Sequence, residues 1–129
     1  MTERLHVHST GEHRPVEVLV LRMDPADVEH FLAIDHEVWT LGEAATLDGE
    51  DVPFLSKEVW LDDSRPGEVT IVFVWPDQET WDAVASTEIQ QRLQSEFDQR
   101  FGRPYELTRE VHHEREGGLH RWSRFARPG

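Results

Sequence analysis

Two segments of this chain are apolar on both of their alternating sides. Val16-Glu-Val-Leu-Val-Leu-Arg22 sets Val16, Val18 and Val20 on one side and Leu19 and Leu21 on the other, and Val69-Thr-Ile-Val-Phe-Val-Trp75 repeats the pattern. Short runs rich in β-branched residues read as strands. Strands apolar on both sides must be covered on both, so the fold has to shield two faces of one sheet.

The rest of the chain supplies cover for one face. Asp24-Pro25-Ala-Asp27 combines a capping aspartate, a proline at the first helical position and an acid in the first turn, the signature of a helix start. The stripe Val28, Phe31, Leu32, Val38 and Trp39 predicts a helix that ends near Gly42 to Ala45, ahead of an acidic loop over residues 46–53. Residues 54–61 read as a strand joined to the Val69–Trp75 strand through the turn Asp62-Asp-Ser-Arg-Pro-Gly67. Pro76-Asp77 opens a second helical region that carries Trp81 and Val84 and breaks at Ser86-Thr87. It resumes with Ile89, Leu93, Phe97 and Phe101 on one side and stops at Gly102 and Pro104. Tyr105–Val111 is the last strand.

The order β-α-β-β-α-β predicts an α+β, ferredoxin-like domain: an antiparallel four-stranded sheet with both helices on one face. At 129 residues the chain has the length of one domain. Residues 1–15 are expected to be a flexible lead-in, 16–113 the domain and 114–129 a tail. One sheet face is then bare and apolar, and a second copy packed against it, a homodimer, is the simplest cover.

Composition removes several function classes. A formal charge of −13 opposes nucleic acid and anionic membrane surfaces as partners. Without cysteine there is no thiol nucleophile and no thiolate metal site, which fits a cytoplasmic setting. No apolar run approaches the ~20 residues that span a bilayer. The glycines form no phosphate-binding signature, so no nucleotide cofactor, and no cofactor at all, is expected. His6 and His8 near one end and His112-His113 near the other lack metal-ligand spacing, and no metal site is expected.

In this order of elements, and in Trp75-Pro-Asp-Gln-Glu-Thr-Trp81, the chain resembles the dimeric α+β barrel superfamily, above all its antibiotic-biosynthesis-monooxygenase-like members, from about Val16 to Val111. Asp35-His-Glu-Val-Trp39 with Lys57-Glu-Val-Trp60 is most similar to a branch of uncharacterised bacterial proteins. The resemblance implies a homodimer holding a small, hydrophobic, aromatic or polyketide-like molecule between helices and sheet of each protomer. It also implies cofactor-independent oxygenation or cyclisation. The chain departs from the monooxygenase pattern in having Phe73 where a carboxylate is common, and in lacking a histidine from Asp77 to Phe101. A non-catalytic ligand-binding or accessory protein therefore stands beside the enzyme reading.

Asp35 is the leading candidate for chemistry, because a carboxylate on a core-facing stripe needs hydrogen-bond partners or a polar cavity. It is expected to act as a general base or to serve as a structural acceptor. His36, about 100° further round the helix, is a candidate proton relay and the one plausible axial ligand in a haem-binding reading. Trp39, Trp60, Phe73, Trp75 and Trp81 are expected to form the aromatic walls of the ligand site. Glu58 is a candidate second pocket carboxylate, with Lys57 beside it read as a surface partner.

Overall fold

A computed structural model of the chain describes residues 7–44, 52–85, 88–111 and 118–127. The ferredoxin-like order is present. Strands β2 (Arg14–Met23), β3 (Ser56–Leu61), β4 (Glu68–Val74) and β5 (Tyr105–Val111) form an antiparallel sheet in the spatial order β3-β4-β2-β5. The two strands with apolar residues on both sides are its central pair, with Val18 opposite Val72 and Leu19 opposite Ile71.

Alternation sorts the sheet into two faces. Leu21, Val69, Ile71 and Phe73 are buried in one core with Phe31, Ile34, Val38, Leu93, Phe97 and Phe101 from the helices. Residues of the other parity, Val18, Val20, Thr70 and Val72, are half-buried, and Trp60, opposite Thr70, is 60% exposed. Both helical regions therefore lie on one face.

The helix starts follow from local chemistry. Asp24 Oδ1 accepts from the Ala26 N–H at 2.9 Å, and Asp77 Oδ1 accepts from the Thr80 N–H at 2.7 Å. The first helical region is not uniform. A 3₁₀ turn (Pro25–Asp27) leads into α1 (Val28–Ile34), then a π-helical stretch (Asp35–Thr40), then α2 (Leu41–Ala44). The second consists of α3 (Gln78–Ala85) and α4 (Glu88–Phe101), and α4 ends at Gly102 with φ +61°, a conformation that favours glycine. The Ser86-Thr87 break and residues 46–51 of the acidic loop lie outside the described residues, as do His6 and His112-His113.

The flanks differ from a loose lead-in and tail. The central strand begins at Arg14, and β6 (His120–Arg121) pairs with Arg14 and Pro15. Strand β1 (Val7–Ser9) pairs with β7 (Arg124–Phe125). The rings of His13 and His120 stack at 4.0 Å. These strands are two or three residues long and largely polar, so they carry no hydrophobic period from which sequence could predict them.

Candidate functional site

A cavity of about 310 Å³ lies between the helices and the core face of the sheet. Its aromatic walls include Trp39, Phe73, Trp75 and Trp81. Trp75 stacks on Trp81 at 5.9 Å and on Phe73 at 6.0 Å, while Phe54 stands edge-on to Phe73 and Trp75. The Trp75 ring is 2% exposed, and its indole N–H has no hydrogen-bond partner among the described residues.

Two expected members are not part of this site. Trp60 lies on the opposite face of the sheet, 60% exposed. Strand β3 is an edge strand on which Lys57, Val59 and Leu61 take the core side, so the large indole falls on the other parity together with exposed Glu58. His36 is exposed and is not among the lining residues, because the step of one residue from Asp35 carries it out of the stripe. The proton-relay and axial-ligand roles drawn from sequence for His36 therefore have no geometric basis.

Asp35 is buried as its position demands, and what satisfies it is Lys57. Lys57 Nζ donates to Asp35 Oδ2 at 2.6 Å and to Thr40 Oγ1 at 2.9 Å, and it lies 5.3 Å from the centre of the Phe73 ring. Both side chains of the ion pair are 7% exposed. Lys57, read from sequence as a surface residue, is thus the counter-ion of the buried carboxylate. The available signal was its parity, opposite to that of Glu58 and Trp60.

Three further carboxyls line the cavity: Glu17 from β2, Glu43 from α2 and Glu110 from β5. Glu43 is 5% exposed, and burial pushes its carboxyl up to about 8 against the pull of Lys57, with Glu17 and Asp35 adding to the rise. Asp35, Trp39 and Glu43 recur every fourth residue, so extending the stripe by one step would have found Glu43. Tyr105, also in the lining, donates to Asp98 Oδ1 at 2.5 Å. Its phenol is pushed up to about 12, chiefly by burial and then by that hydrogen bond. It stays protonated at neutral pH. No group of three or more His, Cys, Asp or Glu among the described residues could hold a metal ion, and no described helix is long and apolar enough to cross a membrane.

The arrangement therefore offers a flat aromatic slot, a charge-compensated Asp35–Lys57 pair, and a carboxyl able to take or give a proton near neutral pH. No protein-family model matches the chain, and no curated protein matches it. Solved structures do. A candidate antibiotic biosynthesis monooxygenase from Caulobacter crescentus is 10% identical, with a TM-score of 0.52 over 75% of this chain and 87% of that one. A conserved protein from Methanosarcina mazei is 12% identical, with a TM-score of 0.52 over 74% and 89%. A conserved protein of unknown function from Bacteroides thetaiotaomicron is 13% identical, with a TM-score of 0.51 over 78% and 97%. The chain thus has the ferredoxin-like α+β fold of antibiotic-biosynthesis-monooxygenase-like structures.

Proposed function

We propose that the cavity binds a small hydrophobic molecule, aromatic or polyketide-like, and that the chain acts on it by proton abstraction without a cofactor, in oxygenation or cyclisation. The observation that carries this reading is the pairing of a stacked aromatic wall, Phe73, Trp75 and Trp81, with buried Glu43 in the same cavity. The wall holds a flat ring, and a carboxyl poised near neutral pH suits a general base. Glu43 in its ionised form takes the proton from a phenol or an acidic carbon. The resulting phenolate or carbanion either passes electrons to dioxygen, forming a ring hydroperoxide with the proton returned by Glu43, which loses water as its O–O bond breaks and leaves a ring carbonyl, or attacks a carbonyl within the same molecule, whose alkoxide takes that proton back. Asp35, the candidate base from sequence, is assigned the adjoining role: with Lys57 it fixes the charge beside the reacting ring. The chain shares its fold with the Caulobacter crescentus protein described as a candidate antibiotic biosynthesis monooxygenase.

A second reading, a non-catalytic ligand-binding or accessory protein, is favoured by one observation: Asp35 is already engaged by Lys57, which also holds Thr40, as a structural carboxylate would be. Aerobic incubation with electron-rich polycyclic phenols separates the two, with tryptophan fluorescence reporting binding and mass spectrometry reporting product. Turnover without added cofactor supports the enzyme, binding without product supports the accessory protein, and absence of binding overturns both. In either case the assembly is proposed to be a cytoplasmic homodimer joined through the open sheet face.

A further inference from the structure

The wall that the first helical region gives the cavity follows a period that an α-helix does not have. Phe31, Asp35, Trp39 and Glu43 all line it, each four residues from the next. At about 100° per residue an α-helix would keep Phe31, Asp35 and Trp39 on one broad stripe but carry Glu43 about 120° away from Phe31. The π-helical stretch Asp35–Thr40 corrects this. Such a stretch is an α-helix with one residue inserted, so it absorbs about 100° of the drift and returns Glu43 to within roughly 20° of Phe31. Its signature is present, since the Leu41 N–H donates to the His36 carbonyl, five residues back. Gly42 then closes on α4, where a Cβ would meet Leu93 Cδ2 at 2.6 Å, and Glu43 takes the cavity side.

π turns are rare, and one that persists is held by its surroundings. Buried Lys57 of β3 holds this one at both ends. Its Nζ donates to Oδ2 of Asp35, the first residue of the stretch, at 2.6 Å and to Oγ1 of Thr40, the last, at 2.9 Å. Residues five apart stand about 140° from one another on an α-helix but on the same side of a π-helix, one turn apart. The wide winding is what puts both within reach of one ammonium.

We propose that Lys57 is a positioning residue: by clamping Asp35 and Thr40 it sets the helix winding that turns Glu43 into the cavity. This rests on the reading of Glu43 as the base of the site and says what aims it. The proton on Glu43 reports where the side chain lies. Its carboxyl stands at about 8 chiefly through burial, with Lys57 opposing and Glu17 and Asp35 adding to the rise, while Glu110 is the remaining carboxyl of the cavity. Turned outward, it returns toward the ordinary 4.5.

Carbon-13 NMR of glutamate-labelled protein, with the Glu43 signal assigned through Glu43→Gln, follows that carboxyl against pH. Thr40→Val removes one end of the clamp and is expected to lower the midpoint from about 8 by at least ~1 unit. Thr40→Ser keeps the hydroxyl and should leave the midpoint in place. Asp35→Leu/Lys57→Met removes the whole clamp without stranding a charge, and its midpoint is expected nearer 4.5 than 8. Deleting exposed His36 from Thr40→Val takes out the inserted residue, so an ordinary α-helix brings Glu43 to the same side, and the parent midpoint should return. Should the double variant not fold, Thr40→Val decides alone. A midpoint that stays near 8 in a folded clamp variant, or that falls in Thr40→Val and is not restored by the deletion, overturns the positioning role and leaves the base reading standing. If Glu43 of the parent itself titrates near 4.5, the base reading falls as well.

Discussion

Asp35 and Lys57 lie 22 residues apart and meet at 2.6 Å with almost no exposure, so each is the other's counter-ion. Removing one partner leaves the other buried and uncompensated, which typically costs ~3 to 5 kcal/mol. Asp35→Asn should therefore destabilise the fold by about that much in denaturant titrations. The double variant Asp35→Leu/Lys57→Met should be less destabilised than Asp35→Asn alone. Glu43 gives a pH test. Its folded value, about 8, is raised above the ordinary 4.5, so between those limits the folded protein holds a proton that the unfolded chain has lost. Stability should fall as pH rises through this window, by up to about 1.4 kcal/mol per unit, and then level off. Glu43→Gln should remove that slope and be more stable than the parent above pH 8 in unfolding curves. Sequence made Asp35 legible because a charge on an apolar stripe is a local anomaly. It left Lys57 illegible because its role is set by a residue on another element. His36 and Trp60 were drawn to the site by residue type, and the geometry of their own elements turned them away.

At the scale of elements, the helix starts and the central strands are written in short-range signals: Asp24 with Pro25, Asp77 after Pro76, and the two runs with apolar residues on both sides. The π-helical stretch Asp35–Thr40 is not, since a helix of altered winding carries the same stripe as an ordinary one. The flanking strands were also invisible, yet they tie into the core by backbone bonds. Val16 N–H donates to Leu119 O at 2.9 Å and Glu12 N–H to Trp122 O at 3.0 Å. Ending the chain at residue 117 removes β6, β7 and the His13–His120 stack. The truncated protein should keep its circular-dichroism spectrum, because the core cluster contains none of the deleted residues. Its Tm should fall by about 4 °C or more, the shift that roughly 1 kcal/mol gives in a domain of this size. An unchanged Tm would return these strands to the status of a dispensable tail.

The whole molecule is shaped by the unequal treatment of its two sheet faces. The helices cover one. On the other, the pairing lays Val111, Val18 and Val72 across the sheet in one row and Val20, Thr70 and Trp60 in the next, with Arg109 and Glu58 at their ends. Among the described residues no helix packs on these rows, and a strongly exposed tryptophan is costly unless something covers it. A two-fold arrangement of two copies would bury the patch against itself. Two chains, each of charge −13, also repel one another, so the association should tighten as salt screens that repulsion. Light scattering should give about 30 kDa at micromolar concentration, twice the 15.1 kDa of one chain. Trp60→Glu should shift the population toward monomer, because it removes the largest apolar side chain of the patch and adds charge to both copies. Since Trp60 is remote from the cavity, the variant should still bind the cavity probe. A parent protein of about 15 kDa under these conditions, or a Trp60→Glu variant as dimeric as its parent, would mean that something other than a second copy covers this face.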